Sequence, residues 1–372
     1  MSLGLPNLLQ GSGLVRGDPV LGEPKAPIML AYGPAAAVPA LAEAARQMPK
    51  VEAVAEAGNG TGWLTSWKST GQAASVPPEG FSIPVEILSV DPATYSQFVP
   101  AQQRDLFRRL ADGGALMGRS AAAFRAISST GSLAFGDQSV EITAVVDDDL
   151  VASHEVVVSH ETAASLGIDN RKYALLALGR GLDAGAVLDH LNSELPDTSI
   201  AVREPGDSEY FRPGGETLPQ IEVKKVAGEF AGRPAGGGVL EIDPKWIVAN
   251  TVNEPIPLLG RARCHRDVFP QIKAAFEQIA AEGLEHLIDN DDFGGCFAPR
   301  LLSADPNSGI SRHSWGIAFD FNVSNNLYGS EPSMDSRLVE ILEKWGFTWG
   351  GRWRVPDGMH FEYWQPAGSV SD

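Results

Sequence analysis

In the run Ser311-Arg312-His313-Ser314-Trp315-Gly316-Ile317-Ala318-Phe319-Asp320-Phe321-Asn322-Val323, apolar Ile317, Phe319, Phe321 and Val323 alternate with Ala318, Asp320 and Asn322. Alternation with a period of two marks a strand with one apolar face and one face that carries a carboxylate. An aspartate in the middle of so hydrophobic a strand is costly unless its charge is compensated, and a metal ion compensates it efficiently. His313 stands just before the strand. Gly316 lets the backbone turn closely enough to bring that imidazole back towards Asp320.

A second polar run follows, Arg352-Trp353-Arg354-Val355-Pro356-Asp357-Gly358-Met359-His360-Phe361-Glu362-Tyr363-Trp364. Pro-Asp-Gly is a turn signature, and the strand after it places His360, Glu362 and Trp364 on one face. Residues three apart face opposite ways on a regular strand, but the turn removes that constraint and lets Asp357 and His360 approach one point. Two imidazoles and a carboxylate form a good zinc ligand set, and three protein ligands leave a fourth position for water, as in catalytic sites. Zinc lowers the pKa of such a water towards ~7 and polarises a peptide carbonyl. A further carboxylate that does not bind the metal is then needed to take the proton and deliver it to the leaving amine, and Asp357 is the candidate. Taken singly, each residue has a plainer reading: a lone histidine is commonly a hydrogen-bonded structural residue, and the aspartate of Pro-Asp-Gly is commonly only a turn residue.

Together the residues spell His-x6-Asp followed by Asp-x2-His-Phe-Glu, which resembles the zinc D-alanyl-D-alanine carboxypeptidases and the phage-endolysin L-alanyl-D-glutamate peptidases. The Ser-x-His-x-x-Gly-x-Ala-x-Asp pattern of that family is matched from Ser311 to Asp320 without a gap. The resemblance covers about a third of the chain, residues 239–364. It implies His313, Asp320 and His360 as zinc ligands and Asp357 as general base. It further implies that Arg300, in the Cys-Phe-Ala-Pro-Arg segment, holds the scissile carbonyl or its oxyanion, and that Ser311 and Trp353 line the substrate groove, with a core role for Trp353 left open. The implied activity is zinc-dependent hydrolysis of a peptide bond in the stem peptides of bacterial peptidoglycan. The carboxypeptidase branch tends to show Glu-x-x-His where this chain has Asp357-x-x-His360, and Trp349-Gly350-Gly351-Arg352-Trp353 looks more like the endolysin branch. Both features tilt the expectation towards cleavage between L-Ala and a D-acidic residue. Two other classes fit these residues less well. A serine-type D,D-peptidase needs a Ser-x-x-Lys motif, which the chain lacks. A zinc-stabilised module that binds wall peptides without cutting them would have no use for a general base.

With 372 residues the chain exceeds what one core usually organises. The FRPGGETLP and AGRPAGGG runs within residues 211–238 concentrate Pro and Gly, and six of the eight tryptophans follow them. The expected organisation is a mixed α/β region over residues 28–210, a Pro/Gly-rich linker over 211–238, and an α+β domain over 239–372 with a small antiparallel sheet and packed helices. In the last of these, Phe269, Ile272, Phe276 and Ile279 recur at helical spacing before Gly283. Leu338, Ile341, Leu342 and Trp345 do the same between an expected Ser333 N-cap and Gly346. Strands are expected over 317–323 and 360–364.

In the N-terminal region the strand-like runs FSIPVEILSV, SVEITAVV and HEVVVS alternate with the helical patterns VPALAEAARQM and AQQRDLFRRLADGG. Residues 85–178 resemble the extracytoplasmic core domains of ABC-type permeases. Gly58-Asn59-Gly60-Thr61-Gly62 lacks the Lys-Ser/Thr of a phosphate loop and the spacing of a dinucleotide fingerprint, so it reads as a plain turn. His154, His160, His190, His265 and His286 are scattered without metal spacing and are expected to be structural.

The net charge of −18 argues against nucleic acid and anionic membrane surfaces as partners. No stretch reaches the ~18 to 20 apolar residues of a spanning helix, and the N-terminus lacks the layout of a signal peptide. Residues 1–5 read as potential appended sequence, and an extracytoplasmic, cell-wall or secreted location is expected, with the natural signal or anchor trimmed. An envelope protein is the expected partner of the N-terminal region. Cys264 and Cys296 are the two cysteines, consistent with one disulfide or with two buried thiols. A zinc site of Cys264, His265 and Cys296 lacks the close-spaced pair that would complete four ligands.

Overall fold

The computed structural model describes residues 27–168, 170–213 and 216–367; residues 1–5, the 214–215 pair of the boundary and the last five residues of the expected C-terminal domain lie outside these. The N-terminal half is organised by one mixed sheet. Its strands run, in spatial order, Ala201–Arg203, Ile28–Tyr32, Arg171–Leu178, Val51–Leu64, Ile83–Val90, Val156–Ser159, Ala115–Gly118, Gln138–Val146, Gly131–Phe135 and Ser66–Ser69. Two pairings are parallel, Ile83–Val90 with Val156–Ser159 and Ala115–Gly118 with Gln138–Val146. The three runs read as strands in the sequence all fall within this sheet, and the helix Val38–Gln47 seats Val38, Leu41, Ala42 and Ala45 beneath it. The AQQRDLFRRLADGG run is broken into short turns around the helix Arg104–Arg108.

The glycine-rich run 58–62 is not a turn. It lies inside the longest strand, Val51–Leu64, paired with Ile83–Val90 throughout and with Arg171–Leu178 up to Gly58. Its glycines answer to crowding: a Cβ on Gly60 would stand 2.8 Å from Ile168 Cγ2 and 2.9 Å from the Asn307 carbonyl oxygen, and one on Gly62 would stand 2.6 Å from Ile87 Cδ1. Glycine inside a strand commonly marks such a close approach.

The Pro/Gly-rich segment is also more ordered than a linker. Between its punctuating ends lie the helix Gln220–Ala227 and the strand Gly232–Gly236, which pairs with Val239–Ile242. Lys224 is 1% exposed, with Nζ 2.8 Å from both Glu155 carboxylate oxygens and 2.8 Å from Glu229, while Arg125 also binds Glu229. Val223, Ala227 and Phe230 join the C-terminal core, whereas Ile221 and Ala231 join a core of the N-terminal half. Pro and Gly here end elements, and the residues between them stitch the two halves together.

The C-terminal half centres on a four-stranded antiparallel sheet in the order Phe293–Gly295, Ala318–Phe321, His360–Tyr363, Phe347–Trp349. The helices Phe269–Ala281 and Ser336–Lys344 bury the two expected apolar stripes except for Trp345, which caps the second helix half-buried. Phe276 meets Phe319 and Phe321 edge-on at 5.8 and 5.5 Å, and Phe319 stacks on Phe361 at 5.8 Å. Each fully buried phenylalanine of this cluster contributes about 1.5–3 kcal/mol. Gly283, at φ +71°, closes the first helix: its N–H reaches Ala280 O, and Leu284 N–H reaches Ile279 O. The second helix is capped by Asp335, whose side chain accepts from Arg337 N–H, and not by Ser333, which is tied to Asn325 and Asn326. The aspartate strand is shorter than expected because Asn322 turns left-handed (φ 51°) and pins Leu287 O and Asp289 N through its amide. Cys264 and Cys296 are bonded, with Cα atoms 5.4 Å apart. Among the described residues no helix is long and apolar enough to cross a membrane.

Candidate metal centre

Asp320 and His360 come from adjacent strands and are cross-strand partners. His313 comes from the short turn Arg312–Ser314, begun by Ser311, whose hydroxyl accepts from the His313 N–H. The return from that turn to the strand needs Gly316 at φ +70°, where a Cβ would lie 2.8 Å from His265 N. The result is a tight triangle: His313 Nε2 to Asp320 Oδ1 3.1 Å, His313 Nε2 to His360 Nδ1 3.2 Å, and His360 Nδ1 to Asp320 Oδ1 2.9 Å. All three residues are buried. Among the described residues they are the one group of three or more His, Cys, Asp or Glu side chains arranged to hold a metal ion.

The residues fit zinc in three ways. Two ligand atoms about 2.05 Å from a tetrahedral ion lie roughly 3.3 Å apart, close to the observed separations. The outer nitrogen of each ring has an acceptor, Cys296 O at 2.7 Å from His313 Nδ1 and Glu362 Oε2 at 3.1 Å from His360 Nε2. Protons held there leave the inner nitrogens as lone-pair donors, the arrangement metal-binding histidines use. Two bare ring nitrogens facing each other at 3.2 Å would repel, and a cation between them removes that conflict.

The electrostatics point the same way. Burial by itself would raise the Asp320 carboxyl, but hydrogen bonds and charge from His313 and His360 outweigh it and hold the group well below the usual carboxylate range. Burial would lower His360, yet its hydrogen bonds with Asp320 and Glu362 raise it to about 10. Both shifts express a pocket that stabilises positive charge at the meeting point of the three side chains.

Asp357 opens the turn that brings His360 back, its carbonyl accepting from the His360 N–H at 3.1 Å. Its Oδ1 is buried and has no hydrogen-bond partner. Burial raises its carboxyl above the ordinary value, against the pull of His360 and with the help of Asp320. Arg300 stands at the rim, 44% exposed, with Nη2 4.0 Å from Asp320 Oδ2. Trp353 packs its ring 5.2 Å from that of His360, beside the centre, and its Nε1 is buried without a partner. Ser311 is only 5% exposed, and its hydroxyl serves the backbone of the His313 turn.

Two contributors were not assigned a role from sequence. Glu362 is 2% exposed, orients His360 and has Arg312 Nε 3.9 Å behind it. The signal was present, since Glu362 lies two residues beyond His360 on the same strand face. The Cys296 carbonyl that orients His313 is a backbone group and leaves no such signal. The remaining histidines are structural, bound to Ala152 O, Ser89 Oγ, Ala44 O, Ala227 O and Gly283 O in the cases of His154, His160, His190, His265 and His286.

Residues 304–363 match the sequence model of the D-alanyl-D-alanine carboxypeptidase family, a span that holds His313, Asp320, Asp357 and His360. No curated protein matches the chain. Among solved structures, the periplasmic region of MacB from Actinobacillus actinomycetemcomitans is similar at 8% identity and a TM-score of 0.34, over 48% of this chain and 88% of that one. The extracellular domain of the noncanonic ABC-type transporter YknZ from Gram-positive bacteria is similar at 14% identity and a TM-score of 0.28, over 48% of this chain and 99% of that one.

Proposed function

We propose that the C-terminal domain is a zinc peptidase that hydrolyses a peptide bond in the stem peptides of bacterial peptidoglycan. The observation that carries this reading is the convergence of His313, Asp320 and His360 beside a fourth carboxylate, Asp357, that is buried, unpartnered at Oδ1 and raised in pKa. A module that only bound wall peptides would have no reason to keep an unsatisfied carboxylate there, because such a group costs stability.

His313 Nε2, His360 Nδ1 and Asp320 Oδ1 would hold the ion. When bound, zinc supplies Lewis acidity towards a peptide carbonyl and makes a water at the site more acidic. Asp357 Oδ1 takes the proton of the attacking water and passes it to the nitrogen of the leaving amine, a role favoured by a pKa nearer the working pH. The Arg300 guanidinium, partly free at the rim, meets the negative charge that develops on the carbonyl oxygen. Trp353 shields His360 and walls the cleft, and Glu362 keeps the His360 ring in the tautomer that presents Nδ1.

Between the two bond specificities, the aspartate at position 357 and the Trp349–Trp353 run favour an endopeptidase that cuts between L-Ala and a D-acidic residue over a D-Ala-D-Ala carboxypeptidase. The disulfide supports an oxidising, extracytoplasmic location for this chemistry. In this reading residues 28–210 and the 211–238 segment carry the peptidase to its wall substrate or to an envelope protein. Mass spectrometry of soluble products after zinc-loaded protein is incubated with purified peptidoglycan, against chelator-treated protein, tests the reading. Free D-Ala would assign a carboxypeptidase, a new amino terminus on the D-acidic residue the endopeptidase, and no zinc-dependent release from several wall types would overturn both.

A further inference from the structure

The glycine-rich strand of the N-terminal half has a second partner besides its sheet neighbours. Residues 300–311 form a hairpin, with Leu301 and Ile310 bridged and Leu302 N–H bonded to Gly309 O at 2.8 Å. The hairpin tip lies on the strand segment Thr61–Trp63. Thr61 N–H reaches Asn307 O at 2.8 Å, Thr61 Oγ1 reaches Ser308 O at 2.8 Å, and Trp63 Nε1 reaches Pro306 O at 2.7 Å. In return Asn307 Nδ2 donates to Thr61 O at 2.9 Å and to Leu166 O at 3.4 Å. The missing Cβ of Gly60 makes room for the Asn307 carbonyl.

The base of the same hairpin is the rim of the metal centre. Arg300 O accepts from Ser311 N–H at 3.1 Å and from Ser314 Oγ at 3.0 Å, and Arg300 N–H donates to Ser314 Oγ at 3.0 Å. Ser311 begins the turn that carries His313, and Ser314 ends it. The opposite wall has a lighter tie of the same kind, Arg354 Nη1 to Ser199 Oγ at 3.3 Å, in the loop between Trp353 and Asp357.

We propose that Asn307 is a positioning residue and that the N-terminal domain, by gripping the hairpin tip through it, sets where Arg300 stands over the metal centre. The inference rests on the peptidase reading for its catalytic consequence, but the mechanical coupling does not. A hairpin is stiff along its ladder, so a tip anchored by five hydrogen bonds limits how far its base can drift. Small displacements of a group that meets developing charge are expensive in rate.

Asn307→Asp tests this with little change of shape, because it replaces the donor that faces Thr61 O and Leu166 O with an acceptor. On the full chain, kcat/KM against wall fragments is expected to fall on the order of 10- to 100-fold, with zinc content unchanged. Because Asn307 acts through Arg300, the Arg300→Ala/Asn307→Asp double variant is expected to be no slower than Arg300→Ala alone. Additive losses, or wild-type kinetics in Asn307→Asp, would overturn the proposal. Thr61→Val, which removes one anchor from the N-terminal side, should show a smaller loss with the same non-additivity. Hydrogen exchange of the amides of residues 300 and 311–314 reads the coupling without any assay of activity. Faster exchange there in Asn307→Asp supports the proposal, and unchanged exchange overturns it. Failure of the wild-type protein to cut any wall fragment would instead strike the peptidase reading and leave the exchange measurement to decide the coupling.

Discussion

Asp320 and His360 stand directly opposite each other on adjacent antiparallel strands, and their side chains close to 2.9 Å. Register therefore sets the geometry of the candidate site. The flanking pair Phe319 and Phe361 stacks on the other face of the same two strands, so the apolar core fixes the register that the metal centre uses. A slip of one residue in the second strand would turn His360 into the aromatic cluster and Phe361 towards the candidate site.

On the proposed reading this arrangement separates ligands from base. Replacing His313 or His360 with alanine removes one of three ligand atoms and is expected to abolish both zinc retention and turnover. Asp357→Ala removes a carboxylate that stands outside the triangle, so zinc should stay while kcat falls about 10²- to 10⁴-fold. Zinc content by atomic absorption, measured beside kcat on the same preparations, checks this. Equal zinc loss in all three variants would make Asp357 a ligand.

Glu362 is expected to matter almost as much as a ligand although it does not reach the ion. Its carboxylate holds the proton side of His360, and Glu362→Ala frees the ring to rotate and to change tautomer. Loss of such an outer partner typically weakens metal binding about 10- to 100-fold. Competition with a chromophoric chelator measures it directly. Undiminished affinity would mean that packing by Trp353 alone fixes the ring.

The disulfide belongs to the same support. Cys296 gives its carbonyl to His313 Nδ1, and the bond to Cys264 anchors that residue to the strand Gly260–His265, whose last N–H meets Gly316 O at 2.7 Å. The bond closes a sequence separation of 32 residues, for which the chain-entropy model gives roughly 3–4 kcal/mol. Cys264→Ser/Cys296→Ser should lower the thermal midpoint and weaken zinc binding together. A lower midpoint with unchanged zinc affinity would show that the carbonyl is held without the bond.

Much of the candidate centre's arrangement was legible because each of its side chains sits where a short-range rule puts it. Asp320 breaks an apolar alternation, Gly316 marks the close turn before it, and Asp357 with Gly358 marks the turn before His360. The helices 269–281 and 336–344 were legible from their stripes for the same reason. What escaped was set by contacts between distant segments. Gly58 to Gly62 look like a turn until Ile168, Ile87 and the Asn307 carbonyl are seen to crowd the strand. The 211–238 segment looks like a linker because its Pro and Gly dominate composition, while the ion cluster that orders Lys224 draws on Glu155 and Arg125, far off in the chain. Ser333 lost the N-cap to Asp335 because Asn326 binds the serine first.

The N-terminal half carries its own dependence on pH. His154 is 1% exposed and neutral, with Nδ1 on Ala152 O and Nε2 facing Asn59 Nδ2. Burial, reinforced by the Arg212 charge, lowers it from 6.5 to about 4. Glu86 would be raised by burial, but Arg212 and then His154 outweigh that and hold it at about 2 instead of 4.5. In both cases the unfolded chain binds a proton that the folded chain refuses, so unfolding takes up protons and stability falls as pH falls. The His154 contribution is complete above about pH 6.5 and is lost on the way down to about 4; the Glu86 contribution is complete above about 4.5 and is lost towards 2. Each group imposes a slope of at most about 1.4 kcal/mol per pH unit within its window. His154→Gln should flatten the upper window and, since His154 also helps to lower Glu86, soften the lower one without removing it, so the difference between the two thermal-midpoint curves from pH 6.5 to 4.5 isolates the histidine. Parallel curves between pH 6.5 and 4 would mean that His154 accepts its proton in the folded protein, with the Asn59 amide turned to receive it.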